Sequence, residues 1–359
     1  MNPQWPVYVP TKGRWESRHT IRAFDAMHVP YRAVIEPQEV DRYLAAGVAR
    51  KNILVLPFRD RGLVTTRNWI WDHALASGAP WYWTFDDNIR CVYRMTRNTK
   101  VRVGDGTVLR VLEDFAARYS NLVVTGMHYD TFANRKYVVA PFKWNKRVYS
   151  NMLIRTDARD GTGKPYRCEG VWNDDTDLNL RVLKDGNCTA LFNTFQIGKC
   201  ATMTVKGGLT EIYTSKQDGE GRESDTRYRA TKELKDKHPD VVTVTRKWGR
   251  WHHHVDYSPF RTNRPVRDDA VPLLEGVNEY GMLLWQFDRV TGSWGVVDTL
   301  TGELSFPPAP EPVPVAPPVV AVLPAPAVVA PPTPPTPPDP NAFRPRTWGP
   351  PETQLSMGW

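Results

Sequence analysis

Apolar and polar positions alternate along the first part of the chain in a pattern typical of a sheet with helices packed against it. Short apolar runs predict strands at 6–10, 31–35, 53–56 and 81–85. Between them, helical spacing predicts helices at about 17–26 with Ser17 as N-cap, at 38–46 before Gly47, and at 62–76. Strands that alternate with helices form βαβ units. The pattern therefore predicts an α/β fold with a mostly parallel central sheet.

Beyond the fourth strand the pattern is less regular. Apolar residues at helical spacing predict a helix over 107–119, and a Gly-rich, polar loop is expected over 202–222. The other predicted elements are a strand at 122–124, a strand–turn–strand unit over 137–154, helices at 174–183 and 226–238, a strand at 241–244, and a hairpin over 280–298 that turns at Thr291-Gly292.

Proline divides the chain, because 16 of its 32 prolines lie between Pro307 and Pro340. A Pro/Ala/Val composition predicts a semi-rigid, polyproline-like linker without a core of its own. The segment after it carries two tryptophans and is a candidate docking peptide for an unidentified protein. We expect four parts: a main domain at 1–262, an extension with the Trp-bearing hairpin at 263–306, the Pro-rich linker at 307–342 and a short tail at 343–359.

The chain is basic. Its formal charge is +8, the part from Pro307 onward contributes −1, and the preceding residues therefore carry +9. Such a charge is compatible with a polyanionic partner such as nucleic acid. The four cysteines show no CxxC spacing, no secretory leader precedes them, and no apolar run reaches the roughly 20 residues that span a bilayer. We expect reduced thiols in a cytoplasmic protein with no membrane partner.

The strand at 81–85 ends in two carboxylates and an amide, Asp86, Asp87 and Asn88. In open α/β sheets, ligands bind at the carboxyl ends of the strands. Adjacent carboxylates there suit Mg²⁺ or Mn²⁺ placed against a diphosphate, since these ions prefer hard oxygen ligands. A solvated turn uses the same residue types, and the motif alone leaves both interpretations open.

Basic residues stand near the ends of neighbouring elements. Thr11, Lys12 and Arg14 follow the first strand, where backbone N–H groups and cations can meet a diphosphate or a uracil. Arg61 and Arg67 lie near the start of the helix that leads into the acidic strand, and arginine suits bidentate contact with phosphate. A surface turn and helix-end salt bridges are the structural alternatives.

A second acidic group, Asp174, Asp175 and Asp177, stands at the predicted start of the helix at 174–183. A carboxylate at the mouth of a site could deprotonate an acceptor hydroxyl as a general base, and Asp174 and Asp175 are the candidates. Acids also stabilise a helix N-terminus electrostatically, and this is the role expected of Asp177.

Three consecutive histidines, His252, His253 and His254, lie late in the chain. Neighbouring residues of a strand point to opposite sides, so all three cannot face one metal ion. One of them, with His253 as the candidate, could complete a cation shell that the aspartates begin. Packing beside a basic surface is the alternative.

Together these segments resemble a glycosyltransferase of the GT-A type. The resemblance rests on PTKGR ending the first strand, LPFRDRGLVTTRN, WTFDDNI, WNDDTDLNLRVLKDG and WGRWHHHVDY, in this order. More narrowly, the chain is similar to the phage-encoded TET/JBP-associated glycosyltransferases, which are implicated in sugar transfer to hydroxymethylated pyrimidines in DNA. The resemblance spans residues 5 to about 260 and leaves out the Pro-rich part. A phage-encoded protein would act in the host cytoplasm.

The resemblance implies a GT-A-like fold and hexosyl transfer from a nucleotide sugar, in particular a UDP-sugar, with Mn²⁺ or Mg²⁺. The acidic strand end matches the DxD-type motif but finishes in Asn, so metal ligation would rest on Asp87 and Asp86 with help from His253. Asp174 and Asp175 match the acidic motif that supplies the base in inverting members. The donor-binding candidates are Thr11, Lys12, Arg14, Glu36, Arg61, Arg67 and Asp86.

The expected acceptor is double-stranded DNA with hydroxymethylated bases. Lys and Arg contacts to phosphate dominate such binding, which suits the charge of +9. Lys206, Lys216, Arg222 and Arg227 are the candidates to lie along the duplex. The 5-hydroxymethyl group projects into the major groove, and an enclosed site would need the base flipped out. A charge run of this kind is otherwise a solvated face.

Three other functions fit parts of the pattern. The same transferase could act on a saccharide, lipid carrier or protein. A metal-dependent nuclease or phosphohydrolase could use the four acids Asp86, Asp87, Asp174 and Asp175, and would cleave DNA or nucleotides without a sugar donor. A non-enzymatic DNA-binding protein would keep its activity after Asp87→Ala. We rank the DNA-directed transferase first.

Overall fold

The computed structural model describes residues 1–96, 98–132, 140–200, 204–208, 225–247, 249–271, 280–297 and 303–306. The chain divides into two units, Met1–Pro307 and Pro308–Trp359, and the described residues all lie in the first. The predicted linker at 307–342 and the tail at 343–359 lie outside the described residues. No helix within these ranges is long and apolar enough to cross a membrane.

The first elements follow the predicted alternation. They are β1 (Val7–Pro10), α1 (His19–Ala26), β2 (Arg32–Ile35), α2 (Val40–Ala45), β3 (Ile53–Val55), α3 (Gly62–Ala76) and β4 (Trp81–Phe85). Ser17 is not the N-cap of α1: Arg18 takes that position with a left-handed backbone (φ 40°) and no side-chain cap. A 3₁₀ turn, Pro37–Glu39, precedes α2, which is therefore shorter than predicted.

The later elements include five strands that the pattern does not predict, namely β5, β6, β10, β12 and β15. In chain order they are β5 (Ile89–Thr96), β6 (Thr99–Val103), α4 (Thr107–Ala116), β7 (Leu122–Tyr129), β8 (Phe142–Trp144), β9 (Asn151–Arg155), α5 (Asp174–Lys184), β10 (Cys188–Lys199), α6 (Thr226–Lys237), β11 (Val242–Lys247), β12 (Arg250–Val255), β13 (Leu284–Asp288), β14 (Ser293–Val297) and β15 (Leu304–Ser305). The predicted hairpin is confirmed as β13 and β14, with Gly292 at φ 68° in its turn.

One sheet dominates the described structure. Its strand order is β15-β14-β13-β6-β5-β10-β7-β9-β4-β1-β2-β3, with β8 beside β10, while β11 and β12 form a separate pair. The α/β class is confirmed. The expected parallel pairing, however, holds only between β1, β2, β3 and β4 and between β7 and β10, and the other neighbours are antiparallel.

Helices pack against both faces of the sheet. Since alternate residues of a strand point to opposite faces, one strand can contact helices on both sides. In β4, Trp81, Trp83 and Phe85 pack with α1, α2 and α4, whereas Tyr82 packs with α3 and α5. A smaller cluster around Leu183 joins α5 to α6 and β11. Cys91, Cys168, Cys188 and Cys200 are all free thiols.

A buried carboxylate ties the start of the chain to this core. Glu113 of α4 is 1% exposed and accepts hydrogen bonds from the indole N–H of Trp83 (3.0 Å) and the backbone N–H groups of Gln4 (2.7 Å) and Trp5 (3.2 Å). Burial raises the pKa of Glu113 to about 7, although these hydrogen bonds act in the opposite direction.

Replacing this carboxylate should destabilise the fold. We expect Glu113→Ala to lower the free energy of unfolding by about 1–3 kcal/mol, because buried N–H donors lose their acceptor. Glu113→Gln keeps an amide oxygen and should lose less. Urea titrations of the three proteins measure the difference.

The same residue predicts a pH dependence. A carboxyl group whose pKa is higher in the folded than in the unfolded protein stabilises the folded state, and its contribution is complete below the unfolded pKa. This contribution is lost as the pH rises through the folded pKa, which is about 7 for Glu113. The free energy of unfolding of the wild type should therefore fall relative to that of Glu113→Gln as the pH rises through this window. A difference that stays constant across the window would contradict the raised pKa.

Candidate active site

Polar residues from several strand ends meet at one edge of the sheet. Because β1, β2, β4, β7 and β10 run in the same direction, the residues that follow them lie on the same side of the molecule. Thr11 follows β1, Glu36 follows β2, Asp86 follows β4, Lys199 ends β10, and Ser150 precedes β9, which runs the opposite way. Ligands of open α/β sheets bind at this kind of edge.

Helix α1 holds the backbone of the acidic pair. The buried hydroxyl of Thr20 donates a hydrogen bond to the carbonyl of Asp86 (2.6 Å) and accepts one from the N–H of Ile89 (2.9 Å). The N–H of Thr20 donates to the carbonyl of Asp87 (3.3 Å). The two carboxylates therefore leave a turn whose backbone is tied to a helix.

Asp86 pairs with two cations of the protein. Its Oδ2 lies 2.7 Å from Lys199 Nζ, and its Oδ1 lies 3.2 Å from Arg67 Nη2. Burial opposes ionisation, but Lys199 and Arg67 outweigh it and lower the pKa of Asp86 to about 2. Asp86 is therefore an anion at neutral pH.

Asp87 has different partners. Its Oδ1 is paired with Arg14 Nη1, and its Oδ2 accepts a hydrogen bond from the hydroxyl of Thr11 (2.9 Å). Burial raises the pKa of Asp87 to about 6 in spite of these partners. Two adjacent carboxyl groups thus differ in acidity because their surroundings differ.

Arg67 connects this strand end to the second acidic group. Its Nη1 donates to Asp174 Oδ2 (2.5 Å) while its Nη2 contacts Asp86. Burial acts against the charge, yet Asp174 and Asp86 together raise the pKa of Arg67. Asp174 is the first residue of α5, and burial raises its own pKa. The structure therefore brings three of the predicted site residues into direct contact.

Lys199 is a central residue that the sequence pattern did not identify. Besides Asp86, its Nζ donates to Ser150 Oγ (2.7 Å) and to the hydroxyl of Tyr129 (3.2 Å). Burial opposes the charge, but Asp86 outweighs it and raises the pKa of Lys199, so the ammonium stays charged. The residue was missed because β10 was not predicted. The apolar run before it was the available indication.

The turn after β1 is anchored from two sides. On one side, Thr11 Oγ1 lies 2.7 Å from the hydroxyl of Tyr43, and the N–H of Gly13 donates to Glu39 (2.8 Å). On the other side, Arg14 Nη2 donates to the carbonyl of Gly207 (3.1 Å). This places the Arg14 guanidinium between the turn and a segment much later in the chain.

Gly207 comes so close to the turn that no side chain fits there. A Cβ at this position would lie 2.3 Å from the carbonyl oxygen of Gly13, and its φ is +87°. The next residue, Gly208, donates its N–H to the carbonyl of Lys12 (3.0 Å). Only glycine allows this close approach of the two backbones.

Lys12 and Glu36 lie beside this centre. Lys12 Nζ is 3.0 Å from Glu36 Oε2 and also pairs with Asp60, and Glu36 is 4% exposed. Arg61, by contrast, is exposed, and its side chain has no hydrogen bond or ion pair within the described ranges. Of the donor-binding candidates, Arg61 is thus the one that the structure leaves outside the network of contacts.

Asp175 faces a different arginine. Its Oδ1 accepts hydrogen bonds from the N–H (2.6 Å) and the hydroxyl (3.0 Å) of Thr176, whose hydroxyl also accepts from Arg147 Nη1 (3.2 Å). Although burial acts the other way, Asp175 raises the pKa of Arg147. Asp177 is buried and pairs with His238 (3.0 Å) and Arg181 (2.9 Å), so it joins α5 to α6 in addition to charging the helix start.

His253 does not join the aspartates. It lies on β12, and its Nε2 is 2.9 Å from Arg147 Nη1. Burial and the neighbouring Arg147 lower the pKa of His253 to about 3. The predicted metal set of Asp86, Asp87 and His253 is therefore not assembled, because His253 lies against a cation.

The residues at the strand ends do not fit a divalent metal ion. Every carboxylate oxygen of Asp86 and Asp87 already has a cation or a hydroxyl donor of the protein as its partner. Among the residues that the structure describes, no group of three or more His, Cys, Asp or Glu side chains could hold a metal ion. Hard cations need several oxygens that are free of such competition.

Two of the four DNA-binding candidates lie within the described residues. Lys206 is exposed and adjoins the glycine that contacts Arg14. Arg227 lies half-buried in the first turn of α6. Lys216 and Arg222 lie outside the described residues.

Comparison with known families identifies the chain's relatives. Residues 5–208 match the family model described as TET-Associated Glycosyltransferase. Since the match covers more than half of the chain, the protein belongs to the TET-associated glycosyltransferase family and is a glycosyltransferase. No curated protein matches the chain.

The family match confirms the resemblance drawn from the sequence motifs, and the fold is compatible with the GT-A type. The matched region includes the acidic pair, Arg67, the start of α5 and Lys199. It ends at residue 208, earlier than the resemblance suggested, and so leaves out His253 and Arg227.

Removing the shared guanidinium should strongly destabilise the protein. We expect Arg67→Met to lower the free energy of unfolding by about 3–5 kcal/mol, because Asp86 and Asp174 lose a buried partner. Adding Asp174→Asn should recover part of this loss, since the two residues are coupled. Chemical denaturation of the single and double variants measures the coupling.

The pair Arg155–Asp157, which is much more exposed than the Arg67 pairs, provides the matched control. Arg155→Met should cost less than about 1 kcal/mol, because surface ion pairs contribute little. Equal losses for Arg67→Met and Arg155→Met would contradict the central position given to Arg67.

Proposed function

We propose that this glycosyltransferase moves a sugar from a nucleotide-sugar donor, in particular a UDP-sugar, to the hydroxyl group of a 5-hydroxymethylpyrimidine in DNA. The observation that carries the proposal is the Arg67 bridge, which holds Asp86 at the end of β4 against Asp174 at the start of α5. In a chain of this glycosyltransferase family, the bridge supports a donor site at the end of β4 close to a candidate base at the start of α5.

The donor would bind where β1, β2 and β4 end. Loss of a nucleoside diphosphate concentrates negative charge on the leaving oxygens, and preorganised positive groups stabilise that charge. Arg14, Arg67 and Lys199 are the cations at this edge. Because the described residues do not fit a metal ion, the proposal contains no metal step.

Asp175 is the proposed general base, and Asp174 the residue that positions it. Asp174 is buried, and its Oδ2 is already paired with Arg67, so this oxygen is not free to receive a proton from the acceptor. Asp175 is more exposed, and within the described residues its Oδ2 accepts no hydrogen bond. A base needs such a free oxygen to receive the proton of the acceptor hydroxyl.

A DNA acceptor is supported by charge as well as by family. The residues before Pro307 carry +9, and contacts between cations and phosphates dominate DNA affinity. Lys206 is exposed next to the segment that contacts Arg14, so it stands close to the proposed donor edge.

Transfer can be tested directly. We expect the full chain, incubated with duplex DNA containing 5-hydroxymethylpyrimidines and a panel of nucleotide sugars, to add one hexose mass to the modified nucleoside. Mass spectrometry of the digested DNA detects the gain, and unmodified DNA is the control. Parallel reactions with Mn²⁺ and with EDTA test whether the protein cations suffice. Donor turnover that needs a saccharide, lipid or protein acceptor would reject DNA as the acceptor.

The two acids should respond differently to substitution. Asp175→Asn should lower kcat by about 10²–10⁴-fold, the usual contribution of a general base, with little change in thermal stability. Asp174→Asn should lower the stability as well, because Arg67 loses a partner. Asp157→Asn, at an exposed ion pair, is the control. Full transfer by Asp175→Asn would exclude it as the base.

A further inference from the structure

A cluster of aromatic rings adjoins the candidate active site and has no part in the reaction described so far. It consists of His128, Tyr129, Phe132 and Tyr149, and we call it the aromatic cluster. Tyr129 ends β7, and Tyr149 lies just before β9. Both belong to the edge of the sheet that carries Asp86.

The rings of the aromatic cluster contact one another. The ring centroids of Tyr129 and Tyr149 are 4.4 Å apart, and those of His128 and Phe132 are 5.3 Å apart. Tyr129 and Phe132 are nearly parallel, with an interplanar angle of 15° and a centroid distance of 5.9 Å. The Phe132 side chain is 47% exposed, which is high for a large apolar residue beside a charged centre.

Contacts connect the aromatic cluster both to the proposed donor edge and to the proposed base. On the donor side, Lys199 Nζ is 3.2 Å from the Tyr129 hydroxyl and 2.7 Å from Asp86. On the other side, the Arg147 guanidinium lies 4.2 Å from the ring centroid of Tyr149. Arg147 in turn contacts Thr176, which hydrogen-bonds to Asp175. A continuous path of contacts thus runs from Asp86 through the rings to the base.

Tyr257 adds an observation that points to a ligand. Its hydroxyl is buried and has no hydrogen-bond partner among the residues that the structure describes. Its ring centroid lies 5.2 Å from Nζ of Lys146, the residue before Arg147. A buried hydroxyl without a partner costs free energy unless a ligand or water satisfies it.

We propose that the aromatic cluster binds the acceptor base, extruded from the duplex, by stacking, so that its hydroxymethyl group lies beside Asp175. This rests on the proposed function and names the binding site of its acceptor. Arg147 covers one face of the buried Tyr149 ring, whereas the exposed ring of Phe132 is suited to stacking with a nucleobase. Inside a duplex both faces of a base are covered by its neighbours, so stacking on the protein requires the base to leave the helix.

The position in the sheet favours the base over the donor sugar as the occupant. The donor candidates Thr11, Arg14 and Glu36 follow β1 and β2, on one side of β4. The aromatic cluster lies at β7 and β9, on the other side of β4. Asp86, at the end of β4, lies between these two groups of strand ends.

Phe132 provides the test because its exposure makes substitutions tolerable for folding. We expect Phe132→Ala and Phe132→Leu to raise the KM for the acceptor by about 5- to 150-fold, the range that loss of one stacking contact produces. Phe132→Leu keeps apolar volume but lacks a flat face, whereas Phe132→Trp should restore binding. The KM for the donor and its hydrolysis without acceptor should not change.

Two acceptors separate base contact from backbone contact. A free 5-hydroxymethylated nucleoside and a duplex carrying the same base should be affected alike, because the proposed contact is with the base. Trp294→Ala, in the outer hairpin of β13 and β14, is the control and should leave both KM values unchanged. Thermal midpoints of all variants verify that they are folded.

Several outcomes would overturn the proposal. A rise in the donor KM with an unchanged acceptor KM would assign the aromatic cluster to the donor sugar. A loss confined to the duplex would assign it to the DNA backbone, and no change in any variant would make it structural. Failure of the proposed function looks different, since the wild type would then bind and hydrolyse the donor without transferring to either acceptor.

Discussion

The site depends on one buried guanidinium that two carboxylates share. A buried charge is tolerated only when it is compensated, so Arg67 can stay in α3 only if Asp86 and Asp174 both reach it. These two acids come from a strand end and a helix start that are far apart in sequence. Meeting this requirement brings β4, α3 and α5 together at one point, and Lys199 of β10 joins the same group of charges through Asp86.

Much of this edge, where β1, β2 and β4 end, can be predicted from the sequence. Strands β1 to β4 are short apolar runs closed by polar residues, and local pattern alone predicts them. Parallel strands bring their ends together, so the order of the elements is sufficient to group Thr11, Glu36 and Asp86. The acidic start of α5 can likewise be predicted, because acids at a helix N-terminus follow from local electrostatics.

The rest could not be predicted, because it depends on contacts between distant segments. β10 contains buried polar residues, Asn193 and Gln196, that interrupt its apolar pattern, and without this strand Lys199 had no assigned place. Whether an aspartate faces a metal ion or a lysine also depends on which distant side chain arrives. The same is true of His253, whose neighbour Arg147 comes from a loop before β9.

The close approach of Gly207 to Gly13 has a consequence for the architecture of the family. The matched region, residues 5–208, returns near its end to the turn that follows its first strand. The end of this region is therefore hydrogen-bonded to its beginning before the remaining segments start. The hydrogen bond from Gly208 to Lys12 thus makes the end of the matched region a support for its beginning, independently of the segments that follow.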